Sequence, residues 1–418
     1  MDGRANRRVR RPRAGGGLSA PALSPSDLLG EKDGAKAICV AGRVLMATEG
    51  ELQLADAFGV IGAEGAFAEL AAGDLVTLRG RFVKGRLRGA SVVARRPAPT
   101  PRGDGEFGRF VFGGVGAALL ARSRMLAALR AYFAEQRFIE VETPLRVPAP
   151  GVDANVDALR AQGGWLVTSP ELEMKRLVVA GVPRQFQLAR VTRRDESGAL
   201  HEPEFTLLEW YRAFASALDV QRDTEELLRR AADGVRGKLE LVLPDGRVVS
   251  LRRGFERVSV SEAFRRYAGV SDVAELSERD EARYFELLVE RVEPALSKLD
   301  RPVFLEQYPI SQAALARPLS HAPRYAERFE LYVGGVELCN GYGELTDPRE
   351  QRLRFRKERA RRKAEGRSAY PINQRFLRAL EEGMPDTGGN ALGVDRLLML
   401  ALGARTIQDV IAFPRELL

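Results

Sequence analysis

Charged and aromatic side chains cluster in a few short stretches of this chain, at spacings that bring them to one surface. In "QLARVTRRDESGALHEPEFTLLEWY" (187–211), Arg193 ends one apolar run, and a polar loop carrying His201 returns to a second. Alternation along the return run puts Phe205, Leu207, Glu209 and Tyr211 on one face. A guanidinium fork suits phosphate oxygens, an aromatic plate suits a base, and a carboxylate suits a cation. Together they fit a nucleotide beside a positively charged substrate. Taken alone, the stretch also fits a surface hairpin with a salt-bridged arginine.

In "ELCNGYGELTD" (337–347), Asn340, Tyr342 and Glu344 alternate and so share a face. A carboxylate on a mostly apolar floor favours a buried ammonium as its partner. Glu330 and Glu337 flank Gly334-Gly335. A two-residue hairpin there pairs Tyr332 with Val336 or Glu337 and brings the two glutamates to one side. Mg²⁺ with phosphates would relieve their repulsion. Glu337 and Asn340 have opposite parity, so a bulge is required for both to reach one site. A polar edge strand is the competing reading.

Two further stretches are weaker alone. "TSPELEMKRL" (168–177) reads as a helix start with Glu171 in its first turn. "GGNALGVDRLLMLALG" (388–403) reads as a small-residue strand packed against a helix that opens near Arg396. It is neither a P-loop nor a dinucleotide fingerprint, since no Gly-Lys-Ser and no βαβ context accompany it. His201 and His321 are the chain's two histidines, and His321 sits in a loop, so a Ser-His-Asp triad has little support.

The elements that must position these residues follow from periodicity. Residues 1–34 are rich in Gly, Pro, Ser and Arg and read as a disordered basic tail. Residues 35–97 alternate apolar with polar residues between glycines, which predicts a small five-stranded barrel of the OB type. Residues 98–106 read as a linker. From 107 to 418, strands joined by hairpins alternate with helices, which predicts an α+β domain on an antiparallel sheet. One of its helices, Arg352–Lys363, is strongly basic.

Composition narrows the class. At 45% apolar and 29% charged residues, the 418-residue chain reads as globular. Two distant cysteines argue against a disulfide scaffold or a zinc site and fit a reducing cytoplasm. No apolar run approaches the ~20 residues of a membrane span. Of the net charge of +8, the six arginines and one aspartate of residues 1–13 account for +5. Such a tail can track nucleic acid or an acidic protein, or simply be solvated.

In this order, the stretches resemble the catalytic core of a class II aminoacyl-tRNA synthetase of the lysyl type. "FIEVETP" (138–144), "QLARVTRRDESGALHEPEF" and "GNALGVDRLLML" are similar to that class's motifs 1, 2 and 3. "ELCNGYGELTD" is similar to its lysine-binding strand, and "TSPELEMKRL" to the segment that holds the substrate's α-amino group. Within the superfamily, the short catalytic part and "NGYGELTDPREQ" resemble a paralogous group, the elongation factor P–lysine ligases, also called (R)-β-lysine ligases. Ala391 stands where true lysyl-tRNA synthetases usually carry glycine; its methyl would narrow the amino-acid pocket.

The resemblance implies ATP and Mg²⁺, lysine or (R)-β-lysine as substrate, and a homodimer. It implies that Arg193 holds the substrate carboxylate and α-phosphate, with Asp195 nearby. Phe205 stacks on adenine, Arg396 brackets it or meets the γ-phosphate, and His201 lies near the β- and γ-phosphates. Glu330 and Glu337 bind Mg²⁺. Glu171 and Asn340 orient the α-amino and carboxylate ends. Glu344 and Tyr211, with Glu209 and the neighbouring Tyr342, line the ε-ammonium pocket. The chain departs from the pattern at motif 2: Phe-Arg-x-Glu is usual there, but Thr192 and Asp195 replace the aromatic and the glutamate, and Glu202 replaces a common asparagine.

The barrel-like segment raises the question of the acceptor. Residues 1–104 contain only Phe58, Phe67 and Phe82 as aromatics, few for base stacking worth ~1–3 kcal/mol per ring. Elongation factor P is therefore the expected acceptor. The alternatives are tRNA, charged by a lysyl-tRNA synthetase with a reduced anticodon domain, and a non-catalytic nucleic-acid-binding role for the tail, barrel and basic helix.

Overall fold

In a computed structural model of the chain, the described residues are 22–418 except 35, 152–155 and 314. The basic tail up to residue 21 lies outside them. Residues 22–34, expected to be disordered, fold. Ser24 and Asp27 bond reciprocally around a 3₁₀ turn, Pro25–Leu28, and Leu28 joins an apolar core. Leu23 bridges to Val40. The chain divides into two compact units, with the boundary between Ala117 and Ala118. Among the described residues, no helix is long and apolar enough to cross a membrane.

The first unit is a closed barrel. Its strands are β1 (Ala37–Ala47), β2 (Glu51–Ala55), β3 (Val60–Gly65), β4 (Leu75–Val83) and β5 (Arg86–Arg96), in the order β1-β2-β3-β5-β4. Pairing is antiparallel except between β3 and β5. Alternation turns Val40, Leu52, Leu54, Ile61, Leu78 and Leu87 inward. The arrangement is consistent with an OB-like fold. Phe67 and Phe82 are spent in its core, while Phe58 is 46% exposed.

The second unit is built on an eight-stranded sheet. The sheet strands and the longer helices around them are, in chain order, α1 (Val115–Glu135), β6 (Ile139–Glu140), α2 (Glu171–Val179), β7 (Arg184–Thr192), β8 (Glu204–Ala213), α3 (Ala217–Arg236), β9 (Glu256–Ser259), β10 (Val303–Glu306), β11 (Arg328–Val333), β12 (Val336–Gly343), α4 (Pro348–Ala364), α5 (Gln374–Glu382), β13 (Thr387–Gly393) and α6 (Val394–Leu402). The sheet order is β9-β10-β11-β12-β13-β8-β7-β6. The six central strands are antiparallel, as expected from the hairpins. Both edge strands pair in parallel, against the expectation of a purely antiparallel sheet. Short helices from Val260 to Leu296 separate β9 from β10, so the chain crosses over before it returns to the sheet.

The two faces of this sheet differ. On one, Phe186, Leu208, Trp210, Phe329, Leu331, Cys339 and Leu392 pack against α1, α3 and α6 in the main core. Phe133 of α1 stacks on Phe186 with centroids 4.2 Å apart. The other face carries Glu330, Asn340, Tyr342, Ala391, Glu209 and Tyr211, beside a small apolar cluster of Ala189, Val191 and Leu207 under Phe205.

Candidate active site

Strand register lays out the polar floor in rows. Glu330, Asn340, Ala391, Glu209 and Gln187 are cross-strand neighbours in one row. Arg328, Tyr342, Gly389, Tyr211 and Gln185 form the next. The required bulge is present. Leu331 pairs with Cys339 and Tyr332 with Glu337, so Leu338 is the extra residue. Leu338 and Cys339 both enter the core, and Glu337 and Asn340 both reach the floor. The Gly334-Gly335 turn supplies two left-handed residues (φ 59° and 88°), as a tight hairpin with right-twisted strands demands. At Gly389 a side chain is excluded, because a Cβ would collide with Glu344 Oε1 and the Tyr211 ring.

At one end of the floor the guanidinium groups gather. Arg193 lies 5.1 Å from the centre of the Phe205 ring, and its buried Nε lacks a hydrogen-bond partner among the described residues. Arg396, near the start of α6, donates to His201 Nε2 (2.6 Å), to the Leu200 carbonyl (3.1 Å) and to the Glu337 carbonyl (2.8 Å). An arginine can only donate, so His201 Nε2 must accept and the imidazole is neutral. Burial and the charge of Arg396 lower the His201 pKa accordingly. Asp195, expected here, does not join this cluster. Its backbone is left-handed (φ 64°) and its side chain is 87% exposed beside Arg194. Glu196 instead approaches Arg193, at 3.5 Å.

Glu330 and Glu337, the expected Mg²⁺ ligands, differ in availability. Glu330 Oε2 accepts from the hydroxyls of Tyr308 (2.6 Å) and Tyr332 (2.7 Å), and its Oε1 accepts from Arg328 (2.6 Å). A carboxylate offers about four acceptor positions, so one remains on Oε1. Glu337 Oε2 faces Arg396 at 3.6 Å. Among the described residues, no three His, Cys, Asp or Glu side chains are grouped to hold a metal ion. The pair fits an ion that takes its remaining ligands from phosphate and water, as Mg²⁺ does.

At the other end the floor is buried and acidic. Ser169 accepts from the Glu171 amide at the start of α2 (3.1 Å) and donates to Glu209 Oε1 (2.6 Å); Tyr211 donates to Glu209 Oε2 (3.2 Å). Burial, reinforced by the charge of Glu171, pushes the Glu209 carboxyl up to about 8. Glu344 lies just beyond β12 and is 1% exposed. Its Nζ partner, Lys175 of α2, is also 1% exposed and sits 2.5 Å from both Glu171 Oε1 and Glu344 Oε2. Asn340 accepts from Arg328 (3.2 Å), and Ala391 lies between Asn340 and Glu209 in register. Lys175, Ser169 and Glu196 were not among the residues expected from sequence. Lys175 had a signal: it stands four residues after Glu171, on the same helix face.

The floor therefore joins a cluster of cations to a cluster of carboxylates, Phe205 and Tyr211 being about 20 Å apart along β8. Residues 111–417 match the tRNA synthetases of class II (D, K and N). The chain belongs to this family. Its members' catalytic domain activates an amino acid at the expense of ATP, which makes the chain an ATP-dependent ligase by family. Of the basic residues on α4, Arg352, Arg354, Arg361 and Arg362 are engaged by Glu381, Glu350, Glu281 and Asp157, so much of that charge serves the fold.

Proposed function

We propose that the chain activates lysine or (R)-β-lysine as its adenylate and transfers it to a lysine side chain of elongation factor P. The observation that carries the substrate is the acidic end of the floor. Of the amino acids in the family's description, lysine alone bears a cationic side chain, and half-buried Glu171 with buried Glu209 and Glu344 would disfavour a further carboxylate such as aspartate's and leave asparagine's amide poorly matched.

In the first step a carboxylate oxygen of the amino acid attacks the ATP α-phosphorus, and pyrophosphate leaves. Two anions must meet. Arg193 and Arg396 reduce their repulsion and stabilise the charge that builds up on the phosphoryl oxygens. Phe205 holds the adenine by stacking. Mg²⁺, held by Glu337 and the remaining acceptor position of Glu330, would neutralise phosphate charge when bound. Asn340 and Glu171 orient the ends of the amino acid, while Glu344, Glu209, Tyr211 and Tyr342 surround its terminal ammonium. In the second step the acceptor's amine nitrogen attacks the adenylate carbonyl and AMP leaves.

The choice of acceptor rests on the barrel, where two of the three phenylalanines are buried. One exposed ring is a small stacking surface for an anticodon. The closed barrel itself favours tRNA as the second reading. Pyrophosphate exchange with each amino acid, followed by label transfer, tests both. Label on elongation factor P supports the proposal; label on tRNA with an unlabelled factor overturns it. By the family resemblance the working unit is a homodimer, which light scattering would check.

A further inference from the structure

Lys175 is sealed from solvent among acidic and aromatic groups. It is 1% exposed, 2.5 Å from two carboxylates, and 6.0 and 5.9 Å from the rings of Tyr211 and Tyr342. Lysine is almost never fully buried without such partners. Its partners outnumber it. Glu171, Glu209 and Glu344 converge on the pocket. Glu344 Oε1 is buried and lacks a hydrogen-bond partner among the described residues. The other cation that acts on Glu344 is Arg317, itself held by Glu327 (2.5 Å) and Asp386 (3.2 Å). The pocket thus has an anionic remainder and one open acceptor.

We propose that Lys175 is a specificity-determining residue: a resident ammonium that cancels part of the pocket's charge and leaves a remainder matched to one incoming ammonium group. This rests on the reading of the pocket as the site for a cationic amino acid. The titration of the pocket agrees with the geometry. Burial raises Glu209 to about 8 and raises Glu344, while Lys175 pulls Glu344 down. Burial opposes the charge on Lys175, but Glu171 and Glu344 outweigh it and raise its pKa. Tyr211 and Tyr342 present their rings to the same space, and burial with the surrounding carboxylates pushes the Tyr211 hydroxyl well above the ordinary tyrosine value, so it stays a neutral donor. Held at about 8, Glu209 therefore keeps a proton near neutral pH, which an incoming ammonium group would displace.

Two measurements test this. In calorimetry at pH 7 in buffers of different ionisation enthalpy, lysine binding to the wild-type chain should release protons. In pyrophosphate exchange, Lys175→Met should raise the KM for lysine at least tenfold at pH 7, with a smaller effect on kcat. The deficit should shrink towards pH 9, because without Lys175 the carboxylates hold their protons to higher pH. Lys175→Arg restores the charge and should recover the wild-type pH profile even where its bulk weakens KM. A wild-type chain that activates lysine while Lys175→Met keeps its pH profile overturns the inference alone. A wild-type chain that activates no cationic amino acid overturns the pocket reading and the inference with it. If Lys175→Met does not fold, calorimetry on the wild type decides: lysine binding without proton release overturns the proposal.

Discussion

At one end of the floor, Arg193 and Arg396 keep 27% and 19% of their side chains in contact with solvent; at the other, Lys175 and Glu344 are sealed. The cationic end can tolerate water because the triphosphate it would meet is strongly charged and flexible in its demands. Several donors there share the work. The acidic end holds its charges out of water, where a missing or extra charge is far more costly. Under the proposed function, catalysis belongs to the exposed end and selectivity to the buried one. Mutations at the two ends should therefore fail in different ways.

The largest effect should come from Arg193→Ala. Removing a donor aimed at developing charge typically costs about 10²–10³ in rate, so pyrophosphate exchange should fall by that factor. Thermal stability should hardly move, because the contact to Glu196 at 3.5 Å is partly exposed. A loss of melting temperature parallel to the loss of rate would make Arg193 structural and break the contrast. Glu344→Gln comes next. Removing one partner of a buried pair costs about 3–5 kcal/mol, part of it from the fold. We expect KM for lysine to rise about 10–100-fold and the melting temperature to drop together. Unchanged KM would remove Glu344 from the pocket.

A smaller effect should appear in pH dependence. Glu209 is held at about 8 against an ordinary 4.5. Between these values the folded chain keeps a proton that the unfolded chain has lost. Stability contributed by this group is thus full below pH 4.5 and is lost as pH rises through 8. Melting curves of the ligand-free chain should show a decline of a few degrees across that window, and Glu209→Gln should flatten it. An unchanged slope in the variant would mean that Glu209 titrates normally.

Much of this contrast is legible in residue order. Parity along β12 by itself demands a bulge, and Leu338 supplies it. The hairpins and the barrel follow from alternation and paired glycines. What escapes depends on information that is not local. Whether Asp195 or Glu196 turns towards Arg193 is set by a single left-handed residue, and nothing in "TRRDES" distinguishes the two. The parallel edges of the sheet depend on which distant segment arrives beside β7 and β10. Residues 22–34 look like tail by composition, yet the Ser24–Asp27 cap, buried Leu28, the Leu23–Val40 bridge and bonds from Ser26 to Asp56 and from Lys84 to Asp33 tie them to the barrel.

The smallest predicted effect sharpens the buried end most. Ala391 faces the floor between Asn340 and Glu209, at the position where the resemblance noted in the sequence implies glycine for a lysyl-tRNA synthetase. In (R)-β-lysine the amino group stands one carbon further from the carboxylate than in lysine, so one methyl on the floor can favour one isomer over the other. A methylene-sized difference in a pocket is worth about 1–3 kcal/mol, and Ala391 is half-buried, so the lower part of that range applies. Ala391→Gly should shift the ratio of kcat/KM for lysine over (R)-β-lysine by about fivefold to tenfold, towards lysine. Glycine in a strand also destabilises the fold by about 0.5–1 kcal/mol, but that loss falls equally on both substrates and cancels in the ratio. A ratio that stays fixed while both rates fall would mean that Ala391 only stiffens β13, and the choice between isomers would have to be sought at Glu171 and Asn340.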